Sequence, residues 1–228
     1  MNIYSLYHQD KFARWFLERL SYFISLNIEK RTSKWSEKIY IKLINNQIIV
    51  DTEKVNYSFG SLHKVFYKAF KKIKSLNVAR YEKVLILGFG AGSIYSILRN
   101  SYQFKRQIVA VEKDEVMIQV FHEYFKIEDP NLQLLQEDAF KFMETNTEKF
   151  DLLVIDLFID DEVPKAFLSH QFIMQIQHKI NKNGLLIWNY MVNNQIQKEE
   201  FERLLSILDC KDSWFVVNEF NRIIYKEK

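Results

Sequence analysis

Val84-Leu-Ile-Leu-Gly-Phe-Gly-Ala-Gly-Ser93 decides the reading of this chain. A short apolar run, Val84–Leu87, ends in three alternating glycines, and Ile94–Arg99 then has helical spacing. The chain holds five glycines in 228 residues, so three within this one stretch need a backbone reason. Between a strand and a helix, glycine permits a tight turn and lets a ligand approach the main chain beside a helix N-terminus. Glu112 follows Gly92 by 20 residues and closes a second apolar run, Ile108-Val-Ala-Val-Glu112. An acidic side chain there can accept both hydroxyls of a ribose. Gly88, Gly90, Gly92 and Glu112 together predict an adenosine-containing ligand, without separating NAD from S-adenosylmethionine.

Downstream of the glycines the pattern alternates. Strands are predicted over Gln107–Glu112, Leu132–Leu135, Phe150–Asp156 and Leu185–Tyr190, and helices over Glu115–Phe125, Ala139–Thr145, Ser169–Ile180 and Gln195–Leu208. Five strands with intervening helices predict a parallel sheet covered on both faces. Ser213–Phe220 and Arg222–Lys226 read as two last strands around a tight turn at Asn221, which adds an antiparallel edge. Two features favour S-adenosylmethionine over NAD. Ser93 stands where the dinucleotide fingerprint has its third glycine or an alanine, and the closing helix and hairpin are the ending of the class I methyltransferase fold.

Upstream, His8–Phe23 has helical spacing of Phe12, Trp15, Phe16, Leu20 and Phe23. This face predicts packing on the protein's own body or on a second subunit, with Trp15, Phe16 and Phe23 in the contact. Ile39–Leu43 and Gln47–Val50 flank Asn45-Asn46 and read as a β-hairpin. An extended piece is expected over Lys54–Tyr57, and a helix over Ser61–Leu76 whose outer face carries Lys64, Lys68, Lys71, Lys72 and Lys74, read as a solvated face. The predicted organisation is an N-terminal helix plus β-hairpin module over 1–58 and an α/β nucleotide-binding domain over 59–228.

Composition narrows the function classes. Hydrophobic residues make 48% and charged residues 27%, as in an ordinary globular protein, and two prolines argue against low-complexity linkers. Cys210 is the single cysteine, which excludes an internal disulfide and a cysteine-cluster metal site, and the five histidines show no ligand spacing, so no metal is expected. Thirty-two basic against 29 acidic residues give +3, too mild for a nucleic-acid partner. The longest uncharged runs, Val84–Leu98 and Asn183–Gln197, are 15 residues each, short of the ~18 that suggest a membrane span. The N-terminus has no signal-peptide pattern, so no membrane partner and a cytoplasmic location are expected.

Val84–Gly92, Val111-Glu-Lys-Asp114, Gln136-Glu-Asp-Ala139 and Asp151-Leu-Leu-Val-Ile-Asp156, in this order, resemble the spermidine synthase family within the class I S-adenosylmethionine-dependent methyltransferase superfamily. Tyr57-Ser-Phe-Gly-Ser-Leu62 and the preceding hairpin are similar to that family too. The resemblance implies that Gly88, Gly90 and Gly92 pass under the nucleoside and its sulfonium chain, that Glu112 holds the ribose, and that Asp138 with the Ala139 backbone reads the adenine edge. It makes Asp156 the catalytic carboxylate facing a reacting amine, and it implies a homodimer. Tyr57 and Asp160 are the expected acceptor-side residues, Asp160 within an acidic mouth, Asp160-Asp-Glu162.

Two departures shape the function expected. The synthases carry an aspartate in the glycine loop where this chain has Ala91, and methyltransferases place an acid two residues before the first glycine, where this chain has Ile86. An aspartate in the loop would attract the ammonium of a decarboxylated donor and repel the carboxylate of a full methionyl group. Ala91 therefore favours S-adenosylmethionine and methyl transfer to a small-molecule acceptor, and Ala91→Asp should reverse the preference. Aminopropyl transfer from decarboxylated S-adenosylmethionine is the alternative. A nucleoside-binding relative without chemistry is the third reading, fed by the two missing acids.

Overall fold

The computed structural model describes residues 3–52, 56–58, 61–158 and 162–228. Two helices open the chain, α1 (Ile3–Gln9) and α2 (Lys11–Leu20). A four-stranded antiparallel sheet follows, in the order β1 (Leu26–Arg31), β2 (Ile39–Ile44), β3 (Gln47–Thr52) and β4 (Asn56–Ser58). The hairpin turn is where the sequence puts it, with Asn45 and Asn46 both at positive φ. β1 is the strand the sequence reading missed. Its Asn27, Glu29 and Lys30 dilute the apolar signal of Leu26 and Ile28.

The expected helix over His8–Phe23 is divided. Asp10 accepts from the backbone N–H groups of Phe12 and Ala13 and so starts α2 afresh. Nor do the predicted aromatic residues make the internal contact. Phe23 is 85% exposed, and Trp15 and Phe16 are more than half exposed, while Tyr7 and Leu17 are buried.

The second sheet has seven strands, built after α3 (Ser61–Lys72). They are β5 (Lys83–Leu87), β6 (Gln107–Glu112), β7 (Leu132–Gln136), β8 (Phe150–Ile155), β9 (Ile180–Met191), β10 (Trp214–Val216) and β11 (Asn221–Glu227). The order is β10-β11-β9-β8-β5-β6-β7. β7 through β9 pair in parallel, and β11 runs antiparallel between β9 and β10. This is the mostly parallel sheet with an antiparallel hairpin that the alternation predicts.

Helices cover both faces. α4 (Ser93–Ser96) continues into a wider turn over Ile97–Ser101, and α5 (Glu115–Phe125), α6 (Ala139–Thr145), α7 (His170–Lys179) and α8 (Gln195–Leu208) complete the layers. Strand alternation divides the core in two. Leu85, Leu87, Val109, Val111, Leu153 and Ile155 face α6, α7 and α8. Val84, Ile86, Ile108, Ala110, Leu152 and Val154 face α3, α4 and Phe121 of α5.

The small sheet rests on the large domain through a third cluster, in which Ile28, Ile39, Ile41, Leu43 and Val50 meet Ala91 and the α5 residues Met117, Val120 and Tyr124. Polar ties fix the angle. Arg31 pairs with Glu29 and with Glu123 of α5, the Tyr124 hydroxyl donates to Glu29 (2.9 Å), and the Ser33 hydroxyl donates to Asp114 (2.6 Å). Burial, and then the Glu29 carboxylate, pushes the Tyr124 hydroxyl pKa up, so it stays a donor. No described helix is long and apolar enough to cross a membrane.

Candidate active site

The chain leaves β5 towards β6 and β7 on one side and returns to β8 and β9 on the other. In open α/β sheets such a reversal opens a crevice outside the carboxyl ends of the strands. A cavity of about 480 Å³ lies there, lined by Gly88, Gly90, Glu112, Asp156 and Asn189 among others.

Each of these positions has a local cause. Gly88 has φ +83°, and a Cβ on it would sit 2.1 Å from the Asp156 carbonyl oxygen. No other residue lets the tips of β5 and β8 close in this way. Gly92, at φ +94°, lies against the Phe121 ring and stands at the start of α4. Gly90, at φ +55°, donates its N–H to Glu112 Oε2 at 2.8 Å. Glu112 Oε1 accepts from the Asp114 N–H at 2.9 Å. Burial pushes the Glu112 pKa up, opposed by these backbone donors. Each oxygen keeps a second lone pair for a ligand hydroxyl.

Asp156 stands just past β8, its N–H held by the Leu87 carbonyl at 2.8 Å. Desolvation raises its pKa to about 7, with the Glu112 charge adding to the rise and a 2.9 Å hydrogen bond from Asn189 Nδ2 opposing it. Its Oδ2 has no hydrogen bond among the described residues. A carboxylate poised near neutrality with one free oxygen is suited to taking a proton from an attacking nucleophile.

The other sequence candidates divide. Ala139 lines the cavity, as does Glu137, which the sequence reading passed over. Asp138 does not line it: its carboxylate caps α6, accepting from Phe140 N (2.9 Å) and Lys141 N (3.4 Å). Gly92 acts from behind the loop rather than on its cavity side. The Tyr57 side chain and Asp160 lie outside the described residues.

Ala91 faces away from the cavity, contrary to the sequence expectation. It is fully buried in the cluster under the small sheet and is not a lining residue. A side chain at 91 therefore meets Met117, Val120 and the β1–β3 core, not the cavity, so the expected switch by Ala91→Asp loses its geometric basis.

Two contributions were invisible in the sequence. Trp35, from the β1–β2 loop, lines the cavity, with the Lys113 ammonium 3.8 Å from its ring centre. Burial lowers the Lys113 pKa, and the charges of Asp138, Glu112 and Asp114 hold it up. The turn after β10 contributes Asn218, Glu219 and Phe220, and the start of β11 contributes Asn221. Of the Ser213–Phe220 strand expected from the sequence, only Trp214–Val216 forms, and residues 217–220 make this turn. Among the described residues no group of three His, Cys, Asp or Glu could hold a metal ion.

The strand order, the glycine turn beneath a capping glutamate and the carboxylate at the reversal define a Rossmann-like protein of the class I methyltransferase type. Within that class the chain belongs to the spermine/spermidine synthase domain family, whose match spans residues 66–219. It is 31% identical over 134 residues to polyamine aminopropyltransferase 2 of Aquifex aeolicus, covering 54% of this chain and 27% of that protein. It is 26% identical over 153 residues to an eEF1A lysine and N-terminal methyltransferase homolog of Drosophila pseudoobscura pseudoobscura, covering 62% and 23%. The spermidine synthase of Thermotoga maritima shares the fold over 89% of this chain and 74% of its own, with a TM-score of 0.65 at 13% identity. The matches thus span about a quarter of the length of these two curated relatives.

Proposed function

We propose that the protein is a transferase that binds S-adenosylmethionine over the glycine loop and passes its methyl group to an amine held at Asp156. The observation that carries this reading is the Asp156 carboxylate, free at Oδ2 and with its pKa raised to about 7, beside Glu112 and the Gly88–Gly92 turn. Glu112 takes the ribose hydroxyls, and Trp35 with Ala139 bounds the nucleoside end. Asp156 orients the acceptor so that the nitrogen lone pair forms the new bond to the methyl carbon. The carbon–sulfur bond breaks with its electrons to sulfur, leaving a neutral thioether, and the nitrogen's proton goes to Asp156 Oδ2.

Methyl transfer draws support from the similarity to an eEF1A lysine and N-terminal methyltransferase homolog; the side chain at 91 faces the core and carries no preference between the two donors. The family and the aminopropyltransferase relative favour the second reading, aminopropyl transfer with the same base. Calorimetry with S-adenosylmethionine, its decarboxylated form and NAD, followed by incubation with putrescine, separates them. S-adenosylmethionine should bind at least as tightly as the decarboxylated form. Preference for the decarboxylated donor with conversion of putrescine to spermidine overturns methyl transfer. Stabilisation by NAD alone overturns both, and binding of neither sulfonium leaves the non-catalytic reading.

Glu112→Ala should weaken donor binding more than tenfold, about 1.4 kcal/mol. It strands two ribose hydroxyls and leaves the Gly90 N–H without its acceptor. Calorimetry at pH 7.5 checks this, and an unchanged dissociation constant would move the nucleoside elsewhere.

A homodimer belongs to the same proposal. The aromatic face of α2 and the segment after it, with Phe12, Trp15, Phe16 and Phe23, is exposed in the single chain, and a patch of this kind marks an interaction surface. Light scattering at micromolar concentration should give twice the chain mass, and Trp15→Asp with Phe23→Asp should return it to one. A wild-type monomer removes the dimer from the proposal.

A further inference from the structure

Asp156 is the end of a line of three amides. Asn189 Nδ2 donates to Asp156 Oδ1 (2.9 Å), Asn221 Nδ2 donates to Asn189 Oδ1 (3.0 Å), and Asn218 Nδ2 donates to Asn221 Oδ1 (2.9 Å). The far end is pinned by groups that cannot turn around: Asn218 Oδ1 accepts the backbone N–H groups of Phe220 (3.0 Å) and Asn221 (2.7 Å). An amide can be placed either way round until its partners are fixed. Backbone donors force the Asn218 oxygen towards the turn, so its nitrogen faces Asn221. The same logic passes along Asn221 to Asn189, which can then present only N–H to Asp156. Asn189 is fully buried and Asn221 nearly so, so water does not relax the constraint.

We propose that Asn218, in the turn between β10 and β11, and Asn221, the first residue of β11, are positioning residues that lock Asn189 as a donor to Asp156 Oδ1 and so keep Asp156 Oδ2 as the proton-accepting oxygen. The catalytic meaning rests on the transferase reading above; the orientation does not. The tertiary structure supplies the reach. β11 lies between β9 and β10, Asn189 sits opposite Ile223, and Asn221 is its diagonal neighbour. The turn is also tied to the end of β9 by the Val192 N–H on the Phe220 carbonyl (2.9 Å).

The alternative arrangement explains why the direction matters. With its amide reversed, Asn189 would set its oxygen against Asp156 Oδ1. The contact could then form only with Asp156 protonated, and a protonated Asp156 is no base. The charged groups lining the same cavity are Glu112, Lys113, Asp114, Glu137 and Glu219. Of these, Glu112 pushes the Asp156 pKa up, as does burial, and the Asn189 hydrogen bond is what opposes them.

The test is a carbon-13 NMR titration of the Asp156 carboxyl in the unliganded protein from pH 5 to pH 9, with the resonance assigned by its loss in Asp156→Asn. Wild type should titrate near 7. Asn221→Leu should move the midpoint up by one pH unit or more, a tenfold rise in proton affinity. Asn218→Ala, a change in a partly exposed turn that keeps the protein testable if Asn221→Leu does not fold, should move it the same way. A role in stability alone would lower the thermal midpoint of both variants and leave the titration in place. Folded variants that titrate within 0.3 units of wild type, about a factor of two, overturn the proposal. Because no donor or acceptor is present, failure of the transferase reading would show separately, as absence of donor binding by calorimetry.

Discussion

Asp156→Asn should make the unliganded protein more stable at pH 8 while removing transfer. The folded pKa of about 7 lies above the ordinary 3.8, so the folded state holds this proton more tightly than the unfolded chain. The stability linked to it is fully present below pH 3.8 and is lost as pH rises towards and through 7. Above 7 the buried carboxylate costs the fold on the order of 4 kcal/mol. Asparagine keeps an oxygen to accept from Asn189 Nδ2 and carries no charge to desolvate. The variant should therefore denature at higher urea than wild type at pH 8, and the two curves should converge near pH 4. Transfer should fall about 10²–10⁴-fold, the usual contribution of a positioned base. A sulfonium cation beside Asp156 stabilises its charged form, so donor affinity in wild type should rise between pH 6 and pH 8 and stay flat in the variant. Equal pH dependence of stability in the two proteins would show that Asp156 is not desolvated as the fold places it.

Ala91→Asp should damage the fold rather than redirect the donor. Ala91 is fully buried among Ile28, Met117, Val120 and their neighbours. A carboxylate there has no cation to pair with among the residues of that cluster, and an unpaired buried charge costs about 3–5 kcal/mol. The loss should be smaller at pH 4 than at pH 8, since protonation relieves part of it. Urea denaturation at the two pH values measures both. A variant as stable as wild type that binds the decarboxylated donor more tightly would put the side chain at 91 in the cavity and restore the reasoning from sequence.

These two positions show what a linear reading can and cannot reach. Asp156 and Glu112 were legible because their placement is local. Each ends an apolar run, and a strand end next to a glycine turn lies at the carboxyl edge of a parallel sheet. Asp138 was legible as a residue but not as a role. Its position before an apolar helix also suits an N-cap, and the cap is what forms. Ala91 sits in the same glycine loop, yet its surroundings come from β1–β3 and α5, which nothing near it in sequence specifies.

The sequence by itself determined the alternation of strands and helices, the glycine turn and the two carboxylates on which the site is built. It did so because strand periodicity, glycine's tolerance of positive φ and strand-end acids are properties of short segments. The tertiary structure alone decided that Trp35 lines the cavity, that Ala91 belongs to the core of the N-terminal sheet, and that Asn218 and Asn221 stand in line with the amide beside Asp156. Apart from the local Asn218–Asn221 pair, those contacts join residues roughly 30 to 80 positions apart, and only the packing of the small sheet on α5 and the insertion of β11 between β9 and β10 bring them within hydrogen-bonding or ring-contact distance.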